Sequence, residues 1–143
     1  MGKYDHLIAD APRPLTPGRI VRPDITREIV YMEDSIFPGA PYFAICWYMA
    51  PREPSPPTHT HTFDEVIGFV SGDPENLTDL GGTVRFMMGD EWYTFTRSVV
   101  IHVPAGMPHS PIIVDEVRRP IIHFSGGPPN ASYIVDLVGD QEE

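Results

Sequence analysis

The fold class this chain predicts is all-β, and three observations predict it. Short runs of β-forming residues recur along its 143 residues, separated by Gly-, Pro- and Asp-containing breaks. One of those breaks, Gly89-Asp90, stands between two apolar-aromatic runs as a hairpin turn would. Length, an apolar content of 41% and the lack of any internal repeat fit one compact domain that buries most of its chain. The pattern alone leaves sandwich and barrel both open.

Taken in order, residues 1–24 contain Pro12, Pro14, Pro17 and Pro23, too many for a helix interior, and are expected to form an extended arm. The domain is expected over 25–138, with 139–143 an acidic tail. Ile25–Met32 and Tyr42–Ala50 read as strands, and Pro51–Pro57 as an irregular proline-rich connector. Val66–Val70 is an apolar strand ended by Gly72-Asp73-Pro74, residues suited to breaking a ladder. Gly82–Met88 and Glu91–Thr96 flank the hairpin turn, and Val99–Val103, Ile112–Val114 and Val117–Phe124 complete the strand set. Gly126 to Asn130 reads as loop, and Tyr133–Val138 as a short terminal element packing back.

The chemistry concentrates in His59-Thr60-His61, with Glu65 following. Histidines at i and i+2 on a strand share a face. Glu65 has the same parity, but a straight strand would carry it roughly 13 Å past His61. Ligands of one metal must come within about 2 Å of it. If Glu65 is a ligand, the chain must therefore turn at Thr62-Phe63-Asp64. A His-x-His pair alone is more often surface polarity, and Glu65 alone an ordinary solvated carboxylate. The second segment strengthens the metal reading. The apolar strand Val99–Val103 stops at Pro104-Ala105-Gly106, and His109 re-enters directly after it. Buried imidazoles and carboxylates need partners, and one shared ion would satisfy several.

These two segments resemble the motifs of the cupin superfamily, G-x5-H-x-H-x3-4-E-x6-G and G-x5-P-x-G-x2-H-x3-N. The first is matched at His59, His61, Glu65 and Gly72, the second at Pro104, Gly106 and His109. Glu53 and Ser98 replace the two leading glycines and Ile113 the terminal asparagine, which puts local turn shape in doubt rather than metal binding. The resemblance covers about residues 40–125. It implies a double-stranded β-helix, or jelly-roll, barrel and a divalent metal held by His59, His61, Glu65 and His109. It also implies a homodimer and a spread of activities: dioxygenases, oxalate-degrading enzymes, isomerases, lyases and non-catalytic binding proteins.

Three imidazoles and a carboxylate suit a transition metal rather than calcium or magnesium, iron or manganese first, with nickel, zinc and copper open. The expected function is metal-dependent chemistry on a small chelating molecule, with an oxygenase placed ahead of a redox-neutral lyase, isomerase or decarboxylase. A non-catalytic metal-dependent binding protein is the reading from another class. Strand parity puts Trp47 and Met49 on one face with Phe43 and Ile45 as candidate pocket residues, alongside Phe69, which shares parity with Glu65. Arg85 is a candidate for an anionic substrate, against the ordinary reading of a solvated strand face. His123, among apolar strand residues, is the candidate catalytic base, although such a histidine is more often a hydrogen-bonded core residue. His102 and His6 are weaker candidates.

Ten basic against twenty acidic residues give a net charge of −10, which argues against nucleic acid or an anionic membrane as partner. No apolar run is long enough to span a bilayer and no signal peptide is evident, so a cytoplasmic location is expected. Cys46 is the single cysteine, which excludes an intramolecular disulfide and reads as a small core hydrophobe.

Overall fold

The computed structural model describes residues 2–14, 17–18 and 20–129, with the backbone of 136–137. Of the expected elements, Asn130, Tyr133 to Val135, Val138 and the tail 139–143 lie outside the described residues, as do positions 1, 15, 16 and 19 of the arm.

After a three-residue 3-10 turn at Asp5–Leu7 come strands β1 (Thr26–Met32), β2 (Pro41–Tyr48), β3 (Arg52–Ser55), β4 (His59–Thr60) and β5 (Glu65–Ser71). They are followed by β6 (Asp79–Met88), β7 (Glu91–Arg97), β8 (Val99–Val103), β9 (His109–Val117), β10 (Ile121–Pro129) and β11 (Asp136–Leu137). One antiparallel sheet runs β1-β2-β10-β5-β8, the other β11-β4-β9-β6-β7 with β3 also on β9. No helix among the described residues is long and apolar enough to cross a membrane.

Side-chain alternation closes the space between the sheets. Along β6, Val84 and Phe86 point inward while Arg85 points out. Along β5, Glu65, Ile67 and Phe69 point inward. Phe69 is fully buried and meets Phe86 at 6.3 Å and Phe95 at 6.3 Å across the sheets, with Leu80 and Ile121 in the same cluster. Burying a phenylalanine this completely contributes about 2–3 kcal/mol. Cys46, Tyr48, Ile67 and Ile112 of the same cluster also face a cavity.

Most boundaries fall near the expected ones, and the Gly89-Asp90 turn joins β6 to β7 with Met88 opposite Glu91. Gly89 takes φ 61°, the left-handed conformation such a turn requires. Three expectations need correction. The connector Pro51–Pro57 contains β3, which pairs with β9 despite Pro54, because a proline is tolerated where one strand side stays unpaired. Val117–Phe124 is not one strand: Val117 ends β9, and the chain turns where Arg118 and Arg119 N–H both donate to the Gly81 carbonyl. The expected loop from Gly126 continues β10 as far as Pro129, with Gly126 opposite Phe43. A Cβ at Gly126 would crowd the Phe43 ring and the Tyr42 carbonyl, so glycine there serves close strand packing instead of a turn.

Candidate metal centre

His59 and His61 lie on β4 and just beyond it, and the chain bends at Thr62-Phe63 before β5 opens on Glu65. What holds that bend is Asp64. Its Oδ1 accepts the Ala105 N–H at 2.9 Å and its Oδ2 meets His102 Nε2 at 3.1 Å. The Gly106 N–H donates to the His61 carbonyl at 2.9 Å, with Gly106 at φ 83°. The Pro104-Ala105-Gly106 turn is thereby tied onto the His61–Glu65 bend. His109 then opens β9 opposite His59. Ser110, directly after it, sits at φ 76°, a left-handed conformation that costs a non-glycine residue on the order of 1 kcal/mol. The kink lies within an irregularity of the β6–β9 register and turns His109 toward β4.

The three imidazoles converge. Ring centroids are 4.8 Å apart for His59–His61, 4.4 Å for His59–His109 and 5.1 Å for His61–His109. Their ligand nitrogens lie within 4.8 Å of one another, so the three rings present their donors to one small volume. Glu65 Oε1 lies 3.1 Å from His109 Nε2 and 3.5 Å from His61 Nε2. All four side chains are at most 4% exposed.

The donor set fits a transition-metal ion on its own chemistry. His59 Nδ1–H donates to the Pro57 carbonyl at 2.7 Å, and His109 Nδ1–H to the Met107 carbonyl at 2.9 Å. Such bonds fix ring orientation and leave Nε2 with its lone pair inward. In neutral His109 that lone pair faces Glu65 Oε1, so two acceptors oppose each other unless a proton or metal ion lies between them. Burial pushes His59 down to about 4, with the neighbouring imidazoles adding to it, so the ring is a neutral donor at pH 7. Burial pushes Glu65 up, but hydrogen bonds from His109 and His61 outweigh it and hold the carboxyl at about 2. A buried carboxylate beside the neutral His59 ring suits a divalent cation.

Beside this cluster lies a cavity of about 790 Å³, and His59, Glu65 and His109 form part of its wall. His123 lines it as well. Its Nδ1–H donates to the Gly68 carbonyl at 3.0 Å, and its ring stacks between Tyr48 at 5.0 Å and Phe69 at 4.9 Å. Burial, with further depression by Arg52, brings its proton affinity to about 4. Phe69 does not line the cavity; it backs His123 from the core.

Trp47 and Met49 are not among the residues lining the cavity. The inward residues of β2 are Tyr42, Ala44, Cys46 and Tyr48, the opposite parity. Phe43 stacks on Phe124 at 5.9 Å on the outer face, and Trp47 covers Gly72. Both faces of β2 are apolar, so alternation there has no sign to read. Small Ala44 and Cys46 leave the space that larger side chains would fill. Arg85 is likewise outside: it forms an ion pair with Asp115 at 2.6 Å and lies over the Trp92 ring. His102 is exposed on Asp64, and His6 is exposed in the N-terminal 3-10 turn.

Sequence reasoning missed Arg13, Tyr48 and Arg52 as cavity residues. The signal available for Arg52 was its place just before the first motif.

No family model matches the chain, and no curated protein matches it in sequence. Among solved structures, the DMSP lyase DddQ from Ruegeria pomeroyi superposes with a TM-score of 0.52 at 14% identity, over 94% of this chain and 64% of that one. This chain thus spans a little under two-thirds of that protein's length. Rru_A2000 from Rhodospirillum rubrum, a cupin-2 domain, superposes with a TM-score of 0.50 at 9% identity, over 90% of this chain and 80% of the other. Identities this low speak to fold alone. With two antiparallel sheets closing on a cavity, and with the motif residues converging at its wall, this chain shares the fold of these two structures.

Proposed function

We propose that this chain is a metal-dependent enzyme carrying out redox-neutral proton-transfer chemistry, of the lyase, isomerase or decarboxylase kind, on a small organic molecule. The observation that carries the proposal is the convergence of three buried imidazoles and Glu65 at the wall of a cavity that also holds the neutral imidazole of His123. His59, His61, Glu65 and His109 would hold the ion. A bound transition-metal ion, iron or manganese before nickel, zinc or copper, would polarise a carbonyl or carboxylate oxygen of the guest.

His123 supplies the base. Its Nδ1–H is committed to Gly68, which leaves the Nε2 lone pair as proton acceptor. Its low proton affinity keeps it in the accepting form at neutral pH. Stacking between Tyr48 and Phe69 holds the ring in one orientation. The same ligand set serves oxygenase chemistry, which the motifs alone put first. His123 shifts the balance because it provides what proton transfer requires.

Elemental analysis of protein purified without added metal is expected to give stoichiometric transition metal, lost in His59→Ala and Glu65→Ala. Unchanged metal content in both variants would remove the four-residue ligand set. Oxygen uptake with diketones, catechols, thiols and flavonols should stay flat while turnover of a substrate proceeds anaerobically. Substrate-dependent oxygen consumption would return the reaction to the oxygenase class.

A further inference from the structure

Charge is distributed against the grain of the chain. The protein carries 10 basic and 20 acidic residues. Yet four arginines line the cavity beside the metal cluster, Arg13, Arg22, Arg27 and Arg52, against two acids, Glu28 and Glu65. Glu65 is already engaged by His109 and His61. Two of the arginines are also engaged: Arg22 with Asp24 at 3.0 Å, and Arg27 with the Pro23 carbonyl at 2.9 Å. Arg13 lies over the Tyr31 ring at 5.0 Å.

Arg52 is different. It is half-buried on β3, and its guanidinium lies 5.1 Å above the Tyr48 ring, which stacks in turn on His123. Among the described residues no carboxylate pairs with it, although a guanidinium has five N–H donors in a fork that matches a carboxylate. Arg52, Tyr48 and His123 therefore form a column along the cavity wall, with a cation at one end and the candidate base at the other. The remaining wall, including Ala44, Cys46, Ile67 and Ile112, is largely apolar and suits a short carbon skeleton.

We propose that the cavity takes a small organic acid, with Arg52 binding its carboxylate while the rest of the molecule lies along the apolar wall toward the metal cluster. This deepens the enzymatic reading above, because it names the substrate class for that cavity. Arg52 is a binding residue; Arg13, on the same cavity, adds positive potential without being the fork that grips.

The test is binding of butyrate and succinate, against the neutral isosteres butyramide and succinamide, to the full chain by calorimetry. It is run on protein as purified and again after chelation, with Arg52→Gln, Arg52→Lys and Arg85→Gln. The expected result is that the acids bind and the amides do not. Arg52→Gln should lose at least about tenfold in affinity, the size of a charge-assisted hydrogen-bonded contact of about 1.5–3 kcal/mol. Arg52→Lys should keep part of it, and Arg85→Gln, on the outer face, all of it. Acid binding that survives chelation and fails in Arg52→Gln supports the proposal even if the metal reading falls. Absence of acid binding, equal binding of the amides, an unaltered Arg52→Gln, or binding that disappears only on chelation overturns it. A salt dependence lost in Arg52→Gln, with circular dichroism unchanged, separates lost binding from misfolding.

Discussion

Replacing His123 by phenylalanine should remove a specific part of the protein's acid sensitivity. Phenylalanine keeps a flat ring between Tyr48 and Phe69, while the hydrogen bond to Gly68 is lost. Folded, His123 takes up a proton only near pH 4; in the unfolded chain the ordinary value is 6.5. Acidification through that window protonates the unfolded chain first, so stability falls as pH drops, and above about pH 6.5 the contribution is fully present. Between about pH 7.5 and about pH 5 a shift of this size removes about 2 kcal/mol. Stopping at about pH 5 keeps clear of Glu65, whose own window runs from 4.5 down to about 2 with the same sign. His59 contributes in parallel in both proteins and cancels in the comparison. The assay is urea unfolding of chelated wild type and His123→Phe at the two pH values. The variant should start lower by about 1 kcal/mol for the lost hydrogen bond and then fall less steeply. Equal losses in the two proteins would refute the buried neutral imidazole.

Three further outcomes follow from the geometry. Gly82→Ala should destabilise by about 1–3 kcal/mol in urea unfolding, because the added methyl overlaps the Glu116 backbone oxygen and crowds Ile121; an unchanged midpoint would mean that β6 and β9 can part there. Asp64→Ala should weaken metal binding several-fold in a competitive chelator titration while the ligands stay in place, since it unties Ala105 and His102 from the His61–Glu65 bend; wild-type affinity would show that the bend holds itself. Light scattering should give twice the 16.0 kDa of one chain, because β1 and β7 end their sheets and such edges invite a second copy; a 16.0 kDa species alone at micromolar concentration would count against the homodimer.

How much was legible varied with how many constraints met at a residue. His59, His61, Glu65 and His109 could be read together because the two segments that carry them resemble the cupin motifs. If Glu65 is a ligand, strand rise requires a bend before it, and the structure bends there. Arg85 and Arg52 are both arginines near apolar strands, and only one faces the cavity, since alternation along β6 turns Arg85 toward Asp115. Trp47 was misread because parity groups it with Phe43 and Ile45 without saying which face of an apolar strand turns inward, and the cavity wall takes the smaller Ala44 and Cys46.

By itself the sequence determined that this chain is a β-protein with a hairpin at Gly89-Asp90, and that two short motifs carry four candidate metal ligands. Those are local matters: turn conformation, strand rise and ligand chemistry act within a few residues. Only the tertiary structure decided which face of β2 looks inward, that Asp64 binds the two motifs together, and that Arg52, Tyr48 and His123 share one wall. Those depend on contacts between residues tens of positions apart, and a strand with two apolar faces carries no record of which one the barrel will enclose.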